Sequence, residues 1–164
     1  MDNMKKVQSV SEENMNEVQI FEMGRIQVKA VQSEKIKVSG SESFAPVLEE
    51  SIGNSTQEVL QGLFMNVKNE VVYKQDLFVG RVRGINASPY QIVQSAILVN
   101  ATHIILAHNH PSGCLQPSQE DIKFSKKLKE VLSHFDIILL DHFIVSSNSY
   151  FSFAEHALLK NDHS

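Results

Sequence analysis

His108, Asn109 and His110 are followed within one short segment by Ser118 and Asp121. Two imidazoles, a hydroxyl and a carboxylate gathered this closely have the chemistry of a metal site. The run Thr102–Ala107 reads as a short apolar strand, and residues two apart on a strand point the same way, so His108 and His110 share a face. Pro117-Ser118 is a helix start signal, and Ser118 with Asp121 three residues on forms a capping arrangement. Phe124, Leu128, Val131, Leu132 and Phe135 then recur at helical spacing, and Asp121 falls on the same inward stripe. A carboxylate there needs a partner. Two imidazoles and one carboxylate make three protein ligands, which leaves the fourth position of a tetrahedral zinc for water; structural zinc sites are instead closed by four ligands rich in cysteine. Zinc in such an open site lowers the pKa of water from about 15.7 toward about 7 and polarises a carbonyl under attack. The pattern predicts Zn2+ held by His108, His110 and Asp121, and hydrolysis as the reaction.

The spacing His108-x-His110-x7-Ser118-x2-Asp121 resembles the signature of the JAMM (JAB/MPN) metalloprotease superfamily, and His108-Asn109-His110-Pro111-Ser112-Gly113 resembles its bacterial RadC branch closely. The resemblance runs from about Ser43 to Ala157 and takes in Gln57-Glu58, Asn66-Val67-Lys68-Asn69, Asp141-His142 and Ser152-Phe153. It implies an α/β domain of the cytidine-deaminase-like JAB/MPN kind, a mixed sheet flanked by helices. It also implies a glutamate upstream of the histidine pair as proton shuttle, a position that Glu58 matches, and Ser118 as hydrogen-bond donor to the oxyanion. Glu70 in a turn and Glu120 on an outer helix face are weaker choices of base. Longer RadC proteins carry a helix-hairpin-helix DNA-binding region before this domain, and residues 1–42 show no glycine-containing helical hairpin.

Other polar residues read as bystanders. Cys114 is expected to be an exposed loop residue and no ligand. His142, after an apolar strand and beside Asp141, is expected to be a satisfied structural histidine that could also orient or border the site. His103, His134, His156 and His163 lack partner spacing and read as surface residues, and Lys123, Lys126, Lys127 and Lys129 read as a solvated helix face.

At 164 residues, 42% hydrophobic and 21% charged, the chain suits one globular core. Its net charge of -4 supplies no basic stripe for phosphate backbones, so DNA is not expected to bind tightly. A single cysteine and the lack of a signal-peptide or membrane-spanning run point to the cytoplasm, with no membrane partner.

The remaining pattern supplies the scaffold. Residues 1–20 read as a mobile arm or weak helix, and Arg25–Val31, continued by Ile36 and Val38, as an edge strand, so residues 1–42 form an N-terminal arm. Ser43–Ile52 reads as an amphipathic helix stopped by Gly53 and opens the metal-binding domain, residues 43–158. Glu58–Val67 and Val71–Val79 are strands joined by a turn at Lys68-Asn69-Glu70, the first apolar on both faces and therefore central. Ser88-Pro89 starts a helix with Ile92, Val93, Ala96 and Ile97 inward. Ile137–Leu140 and Phe143–Val145 read as strands, Tyr150–Phe153 as a last strand before a short tail helix, and residues 159–164 as a tail.

Three functions fit: a zinc-dependent peptide or isopeptide hydrolase of JAMM metallopeptidase type, a noncatalytic metal-stabilised interaction module, and a DNA repair or recombination accessory, as the RadC name suggests. The retained set of ligands plus Glu58 favours the hydrolase. Its substrate is expected to be a protein or peptide that no residue pattern specifies further, and oligomeric state leaves no mark on the sequence.

Overall fold

A computed structural model describes residues 40–80 and 88–160. Residues 1–39 of the expected N-terminal arm, with its edge strand, and His163 lie outside the described residues, while Ser41 and Glu42, assigned to that arm, are the first residues of α1. Eight elements follow in order: α1 (Ser41–Ile52), β1 (Glu58–Met65), β2 (Val71–Gly80), α2 (Pro89–Leu98), β3 (His103–Asn109), α3 (Gln119–Ser133), β4 (Ile138–Val145) and β5 (Tyr150–Ser152). The strands form one mixed sheet in the order β2-β1-β3-β4-β5, in which only β3 and β4 run parallel, joined through α3. A parallel pair needs such a crossover, whereas β1 and β2 close through a tight turn. Asn66 Oδ1 organises that turn by accepting from Lys68 N and Glu70 N, while Asn69 takes a positive φ of 58°.

Each sheet face has its own helices. Phe44, Leu48 and Ile52 of α1 pack on Val59, Leu63, Ile105, Ala107 and Phe143. On the opposite face, Ile92, Val93 and Ala96 of α2 and Leu128 and Leu132 of α3 cover Leu60, Phe64, Ile104, Leu106 and Ile144. β1, buried at every residue after Glu58, is the central strand its two apolar faces predict.

Several expectations change in detail. The two runs expected as separate strands are the single strand β4, and the expected tail helix is a series of turns over 153–159. Leu159, assigned to the tail, is buried in the core. Ile97 lies 53% exposed because Ile92, Val93 and Ala96 already fill the inward stripe of α2, and Phe135 is 51% exposed because α3 ends at Ser133. β4 also holds a bulge: Ile104 pairs with Leu139 but Ile105 with Asp141, leaving Leu140 between them. Strand parity inverts across a bulge. His142 consequently pairs with Leu106 and faces the α3 side of the sheet with it, while Asp141 faces α1.

Asp141 ties that second side together. Its carboxylate accepts from His142 N, Ala154 N, Ser152 Oγ and Ser41 Oγ, joining β4 to β5 and to the start of α1. Burial pushes its pKa up against those four hydrogen bonds. Among the described residues, no helix is long and apolar enough to cross a membrane.

Candidate metal centre

The site is built where β3 ends. His108 is its penultimate residue and is fully buried, and His110 follows on the same side. Pro111 and Gly113 then turn the chain: Gly113 N donates to His110 O at 2.8 Å, and Gly113 holds a φ of 73°. Proline at the second and glycine at the fourth place suit such a turn. The turn brings Cys114 O within 2.6 Å of His110 Nδ1. A carbonyl only accepts, so Nδ1 of His110 carries the hydrogen, and a neutral ring then leaves Nε2 bare. The exposed Cys114 enters the site through this carbonyl.

α3 brings the carboxylate. Ser118 caps the helix, accepting from Asp121 N at 3.1 Å, while Asp121 Oδ2 accepts from Ser118 N at 2.8 Å and from Ser118 Oγ at 2.7 Å. This capping box fixes Asp121 with its carboxylate turned toward the two rings.

The three groups converge closely. His108 Nε2 lies 3.0 Å from His110 Nε2, and each nitrogen lies 3.7 Å from an Asp121 oxygen. The two 3.7 Å contacts reach different oxygens of Asp121, Oδ1 from His108 and Oδ2 from His110, and one ligand atom from each of the three residues falls within 4.8 Å of the others. The group His108, His110 and Asp121 can therefore hold a metal ion. His110 is 20% exposed where His108 is 0%, so a ligand approaches from the His110 side.

Charge supports the arrangement. Burial alone would raise the pKa of Asp121, but the two imidazoles beside it, together with the hydrogen bonds from Ser118, outweigh it and hold the carboxyl well below the usual range. The neighbouring Asp121 carboxylate raises His110 in turn, against the opposing effect of burial.

Glu58 opens β1 at the same end of the sheet. β1 and β3 pair with Leu60 opposite His108, and Glu58, two residues before Leu60 on β1, falls on the same face, at the place where two further steps of that antiparallel register would meet His110. Residues directly opposite point to the same face, so Glu58 rises beside the ligands. Burial raises its pKa, while His108 and His110 draw it down and Asp121 raises it, so its charge is coupled to all three. Glu70, by contrast, sits at the far end of β1, roughly 23 Å along the strand at about 3.3 Å per residue, and pairs with Asn66. Glu120 is exposed.

Sequence reading passed over Asn109 and Ser125, and took His142 as structural. Asn109, between the two histidines, points to the α1 face and is 1% exposed. Its Oδ1 accepts from Val59 N at 2.8 Å, and its Nδ2 donates to Ser55 O and Gln57 O at 3.0 Å each. The fully buried His142 places Nε2 2.8 Å from His108 Nδ1, and its Nδ1 2.6 Å from Ser125 Oγ. An asparagine in a buried strand and a serine one turn along α3 from Asp121 were the available signals. His134 and His156 are exposed as expected, and His103 is half-buried beside Thr102 Oγ1.

A family model for the RadC-like JAB domain matches residues 38–158, the span that contains every one of these groups. The chain belongs to the RadC-like JAB domain family. Among relatives of this RadC-like chain, the UPF0758 protein of Streptococcus sanguinis strain SK36 is 36% identical over 136 residues, covering 83% of this chain and 60% of the relative. The UPF0758 protein of Streptococcus agalactiae serotype Ia is 38% identical over 129 residues, 79% of this chain and 57% of the relative. A third, from Streptococcus suis strain 98HAH33, is 39% identical over 119 residues, 73% and 48%. The RadC-like chain thus spans about half to three-fifths of the length of these relatives.

Proposed function

We propose that this RadC-like domain is a zinc-dependent hydrolase of peptide or isopeptide bonds. The observation that carries the reading is the convergence of His108 Nε2, His110 Nε2 and the Asp121 carboxylate, one ligand atom from each within 4.8 Å of the others, with a carboxylic acid, Glu58, on the same face. Two imidazoles and one carboxylate suit zinc and leave one of its four positions open. Bound zinc supplies Lewis acidity, acidifying water and polarising the scissile carbonyl.

The chain's own residues do the rest. Glu58 takes the proton of the attacking water as the new C–O bond forms, and passes it to the departing amine nitrogen as the C–N bond breaks. A carboxyl raised by burial is better matched to that exchange near neutral pH than a fully solvated one. Ser118, exposed at the mouth of the site, donates to the developing oxyanion by turning its hydroxyl hydrogen away from Asp121 Oδ2. The backbone N–H of Ser118 still holds that carboxylate when the hydroxyl turns.

The test compares zinc-loaded wild type with Glu58→Gln on a mixed pool of peptides and isopeptide-linked peptides, with new amine termini read by mass spectrometry. Wild type cleaves, a chelator stops it, and Glu58→Gln keeps its zinc while losing about a hundredfold or more in rate. Equal rates in the two proteins would remove Glu58 from the mechanism. Full zinc occupancy with no cleavage of any pool member would favour a metal-stabilised interaction module.

A further inference from the structure

His142 and Ser125 touch neither the substrate's approach nor the open position of the ion. Both are fully buried behind His108. Their hydrogen bonds nevertheless form a chain with a single consistent direction. Ser125 Oγ lies 2.7 Å from the Asp121 backbone carbonyl, which can only accept, so the one hydroxyl hydrogen of Ser125 goes there. The 2.6 Å contact between Ser125 Oγ and His142 Nδ1 therefore takes its hydrogen from His142. A neutral imidazole protonated at Nδ1 is bare at Nε2. Across the 2.8 Å contact, then, His142 Nε2 accepts and His108 Nδ1 donates. With its hydrogen on Nδ1, His108 turns a bare Nε2 toward His110 Nε2 and Asp121.

A second proton on His142 would reverse the last link, but it would put a buried cation in the core against the ring of Phe153, stacked at 4.6 Å. Among the described residues no carboxylate hydrogen-bonds the His142 ring to offset that charge, since Asp141 takes only its backbone N–H, and a bound metal ion would repel it. The arrangement of β4 makes the contact possible. Without the bulge at Leu140, strand parity would turn residue 142 to the α1 face.

We infer that His142 and Ser125 are positioning residues for the metal: by passing hydrogen bonds from His108 to the Asp121 carbonyl, they fix His108 in the Nδ1–H tautomer that presents Nε2 to zinc. The chain begins on one ligand and ends on the backbone of another, so it also ties β3 to the first turn of α3. This inference rests on the zinc reading of the site, and partners of this kind behind ligating histidines are worth about 10–100-fold in metal affinity.

The test uses the full chain as wild type, His142→Leu, His142→Gln and Ser125→Ala. Zinc affinity is measured by chelator competition, histidine ring tautomers by long-range 1H–15N NMR of the metal-free protein above neutral pH, and folding by thermal melting of the same sample. We expect His142→Leu to bind zinc about 10–100-fold more weakly and Ser125→Ala about tenfold more weakly. His142→Gln, whose Oε1 can take the place of Nε2 as acceptor, should lie within a few-fold of wild type. His108 should hold its hydrogen on Nδ1 in wild type and shift toward Nε2 in His142→Leu. Zinc affinity within about twofold of wild type in both His142→Leu and Ser125→Ala overturns the inference, as does an Nε2–H His108 in wild type. If His142→Leu does not fold, Ser125→Ala, which removes one oxygen, decides on the same readouts. A wild type that binds no zinc sinks the metal reading instead, and the tautomer spectra then test the hydrogen-bond chain separately.

Discussion

Asn109 Oδ1 accepts the Val59 backbone N–H at 2.8 Å, so the residue between the two metal-facing histidines also holds the strand that carries Glu58. Its Nδ2 extends the grip to Ser55 O and Gln57 O. One side chain thus fixes three backbone groups around Glu58 while His108 and His110 on either side of it face the candidate metal site. The His-Asn-His sequence supplies ligands on one face of the sheet and an anchor on the other.

Replacing Asn109 by Ala leaves the buried Val59 N–H without its partner, while the carbonyls of Ser55 and Gln57 lie nearer to water. A buried group left unsatisfied costs about 1–3 kcal/mol, so we expect a loss of about that size in urea unfolding. Turnover should fall about tenfold or more because Glu58 loses its placement, while zinc remains bound. Wild-type stability in Asn109→Ala would show that the anchor is dispensable.

Ser118→Ala separates the two roles of that hydroxyl. Loss of the cap should destabilise the fold by about 1 kcal/mol. If Ser118 also steadies the oxyanion, the rate on a cleaved peptide should fall on the order of a hundredfold, well beyond what a cap alone explains. An unchanged rate with the stability loss would leave Ser118 as a cap.

The pH dependence of zinc binding follows from His110. Its folded pKa is raised, chiefly by the Asp121 carboxylate beside it, so in the metal-free protein the proton-linked stabilisation is fully present below about 6.5 and is lost as pH rises through the folded value. Zinc competes for the same nitrogen. Its apparent affinity should therefore climb about tenfold per pH unit below the folded value and level off above it. Asp121 is shifted the other way: its contribution is present above about 3.9 and fades only as pH falls toward its lowered folded value, so it adds no slope near neutrality. Competition titrations from mildly acidic to mildly basic pH check this, and an affinity flat across that range would contradict it.

The ligands were legible because their placement is local. Strand alternation put His108 and His110 on one face, and the Ser118–Asp121 spacing announced the helix start that aims the carboxylate. The central position of β1 was equally plain from Val59, Leu60, Leu63 and Phe64. His142 was set down as structural because alternation through Leu139 and Asp141 hides the bulge at Leu140 that turns it toward His108. Asn109 was passed over because its partners lie about fifty residues earlier and meet it only once β1 and β3 pair. Helix ends were hard for a similar reason: the periodicity of α3 continues to Phe135, but the chain leaves the helix after Ser133 to reach Ile137, which packs in the core.

The central claim is that His108, His110 and Asp121 hold one zinc. Elemental analysis of the purified chain after zinc loading and removal of excess metal tests it most directly, with the His108→Ala, His110→Ala double variant alongside. We predict about one zinc per chain in wild type and essentially none in the variant, with both proteins folded by circular dichroism. Equal zinc content in the two would contradict the account.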